Sequence, residues 1–160
     1  MHQPGEKTNT MRLLDAAGIA YQPHHYDAGD GKIDGVSVAA KIGREPEQVF
    51  KTLVTVGASG NFYVLIIPVD RELDLKKAAR AAKEKSVAMC PGKDLLKHTG
   101  YIHGGCSPIG MKKPFPTFLD ESAILQETMI FSAGKIGSQI EAAPDDLLAY
   151  IQGEYADLVK

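Results

Sequence analysis

Cysteine is scarce in this sequence, long apolar runs are missing, and neither sign of charge predominates. Two cysteines in 160 residues exclude the disulfide-dense scaffold of small secreted domains. The longest apolar run, residues 62–69, falls far short of the roughly 20 residues that a membrane-spanning helix needs. The polar start of the chain, residues 1–10, has none of the apolar core of a signal peptide. The expected location is therefore the cytoplasm, with no membrane partner. A net charge of −2 argues against a generally basic nucleic-acid binder, so no DNA partner is expected, while leaving room for a local basic patch.

Several chemistries are missing too. The chain has no G-x-x-x-x-G-K-[ST] phosphate loop, no G-x-G-x-x-G after a strand, no G-x-S-x-G elbow and no H-E-x-x-H pair, which removes the usual signatures of nucleotide hydrolysis and zinc proteolysis. Residues 27–41 are rich in Asp and Gly, but no register places oxygen ligands at calcium-loop positions. Cys90, His98, His103 and Cys106 lie close together, yet only His103-x-x-Cys106 has the tight spacing of zinc ligands. No metal and no cofactor are expected. A Cys106–His nucleophile pair lacks a recognisable third group to orient it. His24 and His25 read most simply as a solvent-exposed pair on a strand edge.

What is present is the composition of one globular domain: 44% hydrophobic and 24% charged residues. A chain of this length buries roughly 70% of its unfolded surface without staples. Residues 1–7 read as a flexible leader and 8–160 as a single domain. A first amphipathic helix ends at Gly18, and residues 19–26 form an edge strand interrupted by Pro23. A loop over 27–35 leads to a helix capped by Ser37. Residues 49–56 and 62–69 form a hairpin, the second arm apolar without alternation and hence covered on both faces. Asp74 caps a helix whose stripe is Leu75, Ala78, Ala79 and Ala82. A short strand over 86–89, a short helix over 91–97 and strands at 117–119, 128–132 and 139–141 follow, and Pro144 opens a closing helix. Strands outnumber helices and hairpin-length loops join several of them. The expected fold is α+β: a mixed, largely antiparallel, barrel-like sheet flanked by helices.

Three features carry chemistry. In a strand from Val49, Lys51 shares a face with Val49, Leu53 and Thr55, while Phe50, Thr52, Val54 and Val56 take the other. An ammonium on so apolar a strand either lines a cleft and meets an anion, or snorkels at the sheet edge. The segment Gly104-Gly105-Cys106-Ser107-Pro108-Ile109-Gly110 permits close backbone approach and free N–H groups, which can hold a carbonyl oxygen or phosphate; it can also be no more than a turn. Ser132-Ala133-Gly134-Lys135-Ile136-Gly137 is a second such segment. Lys76, Lys77, Arg80, Lys83 and Lys85 form a basic run, with Lys112 and Lys113 after the glycine loop. A solvated helix face is the usual meaning of such a run, and contact with phosphates the minority one.

In combination, Phe50-Lys51-Thr52-Leu53-Val54, Leu73-Asp74-Leu75-Lys76-Lys77, the stretch from Gly100-Tyr101 through the glycine loop to Lys112-Lys113, and Ser132-Ala133-Gly134-x-x-Gly137 resemble the YbaK family. These are freestanding aminoacyl-tRNA deacylases related to the editing domain of bacterial prolyl-tRNA synthetase. The resemblance covers nearly the whole chain. It implies the editing-domain fold and trans-editing of mischarged tRNA, Cys-tRNA(Pro) above all, with preference for Ala-tRNA or another small aminoacyl-tRNA, or a non-catalytic tRNA- or synthetase-binding module, as alternatives. The partners implied are aminoacyl-tRNA, in particular tRNA(Pro), and prolyl-tRNA synthetase. Such a second sieve is needed because a pocket separates small apolar side chains by only about 1–3 kcal/mol.

The resemblance also assigns residues. The family holds the cysteinyl ester so that the substrate's own thiol attacks the carbonyl, a proximity mechanism that needs no protein nucleophile. Lys51 matches the family's essential lysine, and the Gly104 and Gly105 backbone is expected to polarise the ester carbonyl. Tyr26, Phe50, Thr52, Ser107, Pro108, Ser132 and Gly134 are expected to shape the substrate site. Lys76, Lys77, Arg80, Lys112 and Lys113 are expected to contact tRNA. Three positions depart from the family pattern: Asp34 in place of an aromatic residue, Cys106 in place of an aliphatic one, and Gln139 in place of an acid. These bear on amino-acid preference more than on reaction class.

Overall fold

The computed structural model describes residues 7–160; of the expected leader only Lys7 falls among them. Five helices and eight strands follow in the order α1 (Asn9–Ala17), β1 (Gln22–His25), α2 (Gly35–Lys41), β2 (Phe50–Gly57), β3 (Phe62–Pro68), α3 (Leu75–Ala82), β4 (Val87–Met89), α4 (Gly92–Thr99), β5 (Thr117–Asp120), β6 (Met129–Lys135), β7 (Ser138–Ala142), α5 (Pro144–Ile151) and β8 (Glu154–Ala156). Thr8 caps α1 by accepting the Met11 N–H, and Gly18 ends it in the left-handed region at φ 72°.

The strands form two sheets and do not close into a barrel. One has three antiparallel strands in the order β1-β7-β6; the other has five in the order β4-β2-β3-β5-β8. β2 and β3 make the expected hairpin, with Phe50 opposite Pro68 and Val56 opposite Phe62. β5 then adds to β3 in parallel, and β8 to β5 likewise. The fold is therefore α+β and mostly antiparallel, and β8 is a strand that the sequence pattern does not announce. The parallel bridge between Val49 and Ile130 is where the two sheets meet.

The alternation of β2 and β3 sorts their side chains into two cores. Phe50, Val54, Val64 and Ile66 pack with Met129, Phe131 and Ile140 of the smaller sheet, under Met11 and Leu14 of α1 and Leu147 of α5. On the opposite face Leu65 and Ile67 pack with Ala78 and Ala79 of α3 and with Leu158. β3 is covered on both sides, as its unbroken apolar run requires, and each large buried side chain contributes about 1.5–3 kcal/mol. Leu75, expected in the α3 stripe, is instead 41% exposed; it sits at the first helical position, beyond the packed turn.

Two local expectations are corrected. Asp34, not Ser37, caps α2: its carboxylate accepts the Ser37 N–H at 3.1 Å and the Ser37 hydroxyl at 2.7 Å. Gly35 at the first position is required, because a Cβ there would fall 2.3 Å from Val69 Cγ1. Nor are His24 and His25 a solvent-exposed pair, since both are half-buried. His24 Nε2 lies 2.8 Å from the Glu141 carboxylate, which also accepts from Arg44 at 3.0 Å and from the Thr128 hydroxyl at 2.5 Å. Burial alone would raise the Glu141 pKa, but the bonds from Thr128, His24 and Arg44 outweigh it and bring it to about 2. This knot joins β1 and β7 to the chain after α2, on the side of the small sheet that faces the site described next.

Candidate active site

The unpaired part of one strand edge creates the site. β4 covers β2 only at Thr55–Gly57, and the Cys90 N–H closes the ladder on the Val54 carbonyl at 2.9 Å. Residues 50–53 lie beyond that cover. A cavity of about 300 Å³ wraps around them, between the start of α2, Leu95 of α4, the glycine loop and the inner face of the small sheet. Because it wraps an edge, residues from both faces of β2 reach it: Lys51 and Leu53 from one, Phe50 and Thr52 from the other.

Lys51 is half-buried, paired across the ladder with Ile67. Its ammonium makes no hydrogen bond or ion pair with any described residue. An ammonium with apolar neighbours and no partner favours an anion or a polarised oxygen. The lysine lines the same cavity as Gly104, Cys106 and Ser132, the placement that the cleft reading requires. Two further polar atoms in the lining are buried without a partner, Thr52 Oγ1 and Gln139 Oε1. Gln139 is 6% exposed, so its amide oxygen is an acceptor withdrawn from water and left unfilled by the protein. The Tyr26 hydroxyl is also buried and unpartnered, although Tyr26 does not line the cavity; its ring lies 5.7 Å from Lys41 Nζ.

The glycine loop supplies backbone donors, and the two glycines differ. Gly104 has φ +87°, and a Cβ on it would fall 2.9 Å from Ile33 Cδ1. Gly105 is buried against the β6–β7 turn, where a Cβ would fall 3.2 Å from Ile136 N. Its N–H donates to the Ile102 carbonyl at 3.0 Å, so Gly105 has no proton left for a ligand and shapes the loop instead. The N–H groups of Gly104 and Cys106 make no hydrogen bond with a described residue, and both residues line the cavity. Burial, with the nearby Cys90 adding to it, pushes the Cys106 thiol up to about 12, which keeps it protonated near neutral pH and makes it a poor nucleophile.

Other expected substrate residues stand behind the wall. The Ser107 hydroxyl accepts the Ile109 N–H at 3.2 Å, and Pro108 is buried beside it. Tyr101 donates to the Ile109 carbonyl at 2.5 Å and packs on Gly134, whose absent Cβ would meet its ring at 3.0 Å. Ser132 does line the cavity, its hydroxyl accepting the Gly134 N–H at 3.1 Å. Ser107, Pro108 and Gly134 therefore hold the loop's shape. Among the expected tRNA contacts, Lys76 and Arg80 are exposed, whereas Lys77 donates to Asp157 at 3.0 Å and to the Val159 carbonyl at 2.8 Å. None of the three lines the cavity. Lys112 and Lys113 are exposed. No group of three His, Cys, Asp or Glu side chains suited to a metal occurs among the described residues.

Sequence reasoning missed the opposite wall. Lys41, at the end of α2, donates to the Asp27 carbonyl at 2.6 Å, the Asp30 carboxylate at 2.7 Å and the Lys32 carbonyl at 2.9 Å. This fixes residues 27–34 and places Ile33 on Gly104. Gln139 appears in the sequence only as a departure; the signal was a polar residue in a strand whose every position is buried.

Residues 34–150 match the family model described as aminoacyl-tRNA editing domain. An Enterococcus faecalis protein named "Putative Cys-tRNA(Pro)/Cys-tRNA(Cys) deacylase EbsC" is 46% identical over 153 residues, which is 96% of this chain and 93% of that one. A proline–tRNA ligase of Fervidobacterium nodosum is 32% identical over 75 residues, covering 47% of this chain but 13% of the ligase. A solved structure described as "Crystal structure of a putative trans-editing enzyme for prolyl tRNA synthetase" superposes with a TM-score of 0.84 at 26% identity, over 97% of this chain and 99% of that one.

Proposed function

The chain belongs to the aminoacyl-tRNA editing domain family, and from that membership we propose that it is a trans-acting deacylase that clears mischarged tRNA, Cys-tRNA(Pro) above all. One observation carries this reading. The residues that carry an unpaired ammonium, two free backbone amides and two unfilled side-chain oxygens line one small cavity, whose Cys106 thiol is held protonated. That arrangement can bind, orient and polarise an ester, and its thiol is held protonated. In this reading the attacking group comes from the substrate.

In this mechanism the N–H groups of Gly104 and Cys106 hold the ester carbonyl oxygen, whose charge grows as the tetrahedral centre forms. Gln139 Oε1 and Thr52 Oγ1 accept hydrogen bonds from the substrate's α-ammonium group. The substrate's sulfur bonds to the carbonyl carbon as the carbon–oxygen bond to the terminal ribose breaks, and the thiol's proton passes to the ribose oxygen, which leaves with the tRNA. Lys51 steadies the negative charge on the departing side. Water afterwards opens the cyclic thioester. Holding thiol and carbonyl together is worth several kcal/mol of barrier without a protein nucleophile. Residues 8–160 act as one editing domain. The partial similarity to a proline–tRNA ligase supports action alongside prolyl-tRNA synthetase. A cytoplasmic location fits a translation-linked substrate and a chain in which no helix among the described residues is long and apolar enough to cross a membrane.

The test is release of labelled amino acid from Cys-, Ala- and Ser-tRNA(Pro). Cysteine is released fastest and serine persists; equal rates for serine and cysteine sink the substrate-thiol chemistry. Lys51→Met lowers kcat/KM by about 100-fold, the scale of losing one charge-stabilising contact, and a wild-type rate in that variant removes Lys51 from the mechanism.

A further inference from the structure

We propose that the RNA strand entering the cavity runs over α4 and the turn that follows the glycine loop. Lys93, Lys97, Lys112 and Lys113 take its phosphates, and Leu96 and Ile102 lie against its bases. The proposal rests on the deacylase reading and names where that substrate's polynucleotide lies.

Position comes first. Leu95, in the middle of α4, lines the cavity, and so do His103 and Gly104, next to Ile102. α4 therefore borders the cavity on this side. The charge there is uncompensated: Lys93, Lys97, Lys112 and Lys113 are all exposed, and Asp94 is the sole acid between residues 91 and 116. None of these four lysines makes an ion pair with a described residue, whereas Lys41, Arg44, Lys77 and Lys160 each do. Lys93 and Lys97 stand one helical turn apart, a like-charge spacing that is mildly destabilising unless an anion lies across it. Lys112 extends this row. Its stem lies along the end of α4, with Cγ 3.4 Å from where a Gly100 Cβ would be, and its ammonium is 3.4 Å from the Lys97 carbonyl.

The second observation is apolar. Leu96 and Ile102 are each 53% exposed, interleaved with those lysines. Cations that track a backbone, alternating with apolar groups that meet base faces, suit a single-stranded end, whose bases are open on both sides. The competing basic surface, α3, has its Lys77 tied to Asp157 and contributes nothing to the cavity lining.

Each phosphate contact on a single strand adds about 0.7 to the slope of log affinity against log salt. The double variant Lys97→Gln/Lys112→Gln is therefore compared with wild type for kcat/KM on Cys-tRNA(Pro) across a range of KCl. The slope falls by about 1.4, and preference for Cys-tRNA(Pro) over 3′-O-cysteinyl-adenosine falls about tenfold at low salt. An unchanged slope overturns the proposal, and so does an equal or larger loss in Lys76→Gln/Arg80→Gln, which would put the strand on α3. If wild-type protein cleaves neither ester, the deacylase reading fails by itself. The same variants then report through fluorescence anisotropy with uncharged tRNA(Pro): a shallower slope supports the α4 surface, and equal slopes overturn it.

Discussion

Gly104→Ala separates backbone strain from site geometry when it is read beside Gly60→Ala. Both glycines sit in the left-handed region, Gly104 at φ +87° and Gly60, in the β2–β3 turn, at φ +89°. A Cβ at such an angle costs about 1–2 kcal/mol. At Gly60 nothing lies within 4 Å of the added carbon, so that cost is the whole effect. At Gly104 the added carbon falls 2.9 Å from Ile33 Cδ1, the far end of a flexible side chain, and turning it aside costs about 0.5–1.5 kcal/mol more. The expected losses are about 1–2 kcal/mol for Gly60→Ala and about 1.5–3.5 kcal/mol for Gly104→Ala. For a domain of this size they lower Tm by about 2–4 °C per kcal/mol. Their rates diverge more sharply. Gly60→Ala deacylates Cys-tRNA(Pro) like wild type, whereas Gly104→Ala, with its free amide and the Ile33 contact both displaced, loses about 100-fold in kcat. Thermal unfolding by circular dichroism and single-turnover deacylation read the two quantities on the same samples. A folded Gly104→Ala protein with a near-normal kcat would refute the assignment of the ester carbonyl to this loop.

Glu141→Gln tests the knot behind the cavity. Its folded pKa, about 2, lies below the ordinary 4.5, so its stabilisation is complete above pH 4.5 and disappears as pH falls from there toward 2. That window accounts for about 3 kcal/mol. Urea titrations show wild type losing this component on acidification and Glu141→Gln lacking it; parallel pH curves for the two proteins would remove Glu141 from the acid response. Cys106, with its thiol pushed up to about 12, resists iodoacetamide at pH 8 in the folded protein and reacts once urea exposes it. Rapid native alkylation mapped to Cys106 by peptide mass would show a thiolate in the cavity and reopen nucleophilic chemistry.

Much of the fold was legible where a local rule governs, although the α2 cap, read at Ser37, lies three residues earlier at Asp34. The β2–β3 hairpin, the Asp74 cap, the Gly18 terminus and the proline that opens α5 all rest on contacts within a few residues, and the structure has each in place. The pairing of β8 with β5 depends on a partner more than thirty positions away, and so does the separation of the strands into two sheets. The site divides the same way. Lys51 and the glycine loop stand out because a cation in an apolar strand and adjacent glycines are locally odd. The exchange of roles between Gly105 and Cys106 hangs on one bond to Ile102, and the vacant oxygen of Gln139 on what surrounds it, neither of which periodicity encodes. His24 was misread because its partner Glu141 is 117 positions distant.

The staple made by Lys41 has an evolutionary corollary. It reaches back fourteen positions to Asp27, so one side of the chamber is a contiguous cassette anchored at both ends by its own residues. Lengthening or recutting that cassette would remould the cavity while leaving every strand register intact. Edits to that single short stretch of gene can therefore reshape one wall of the chamber by themselves.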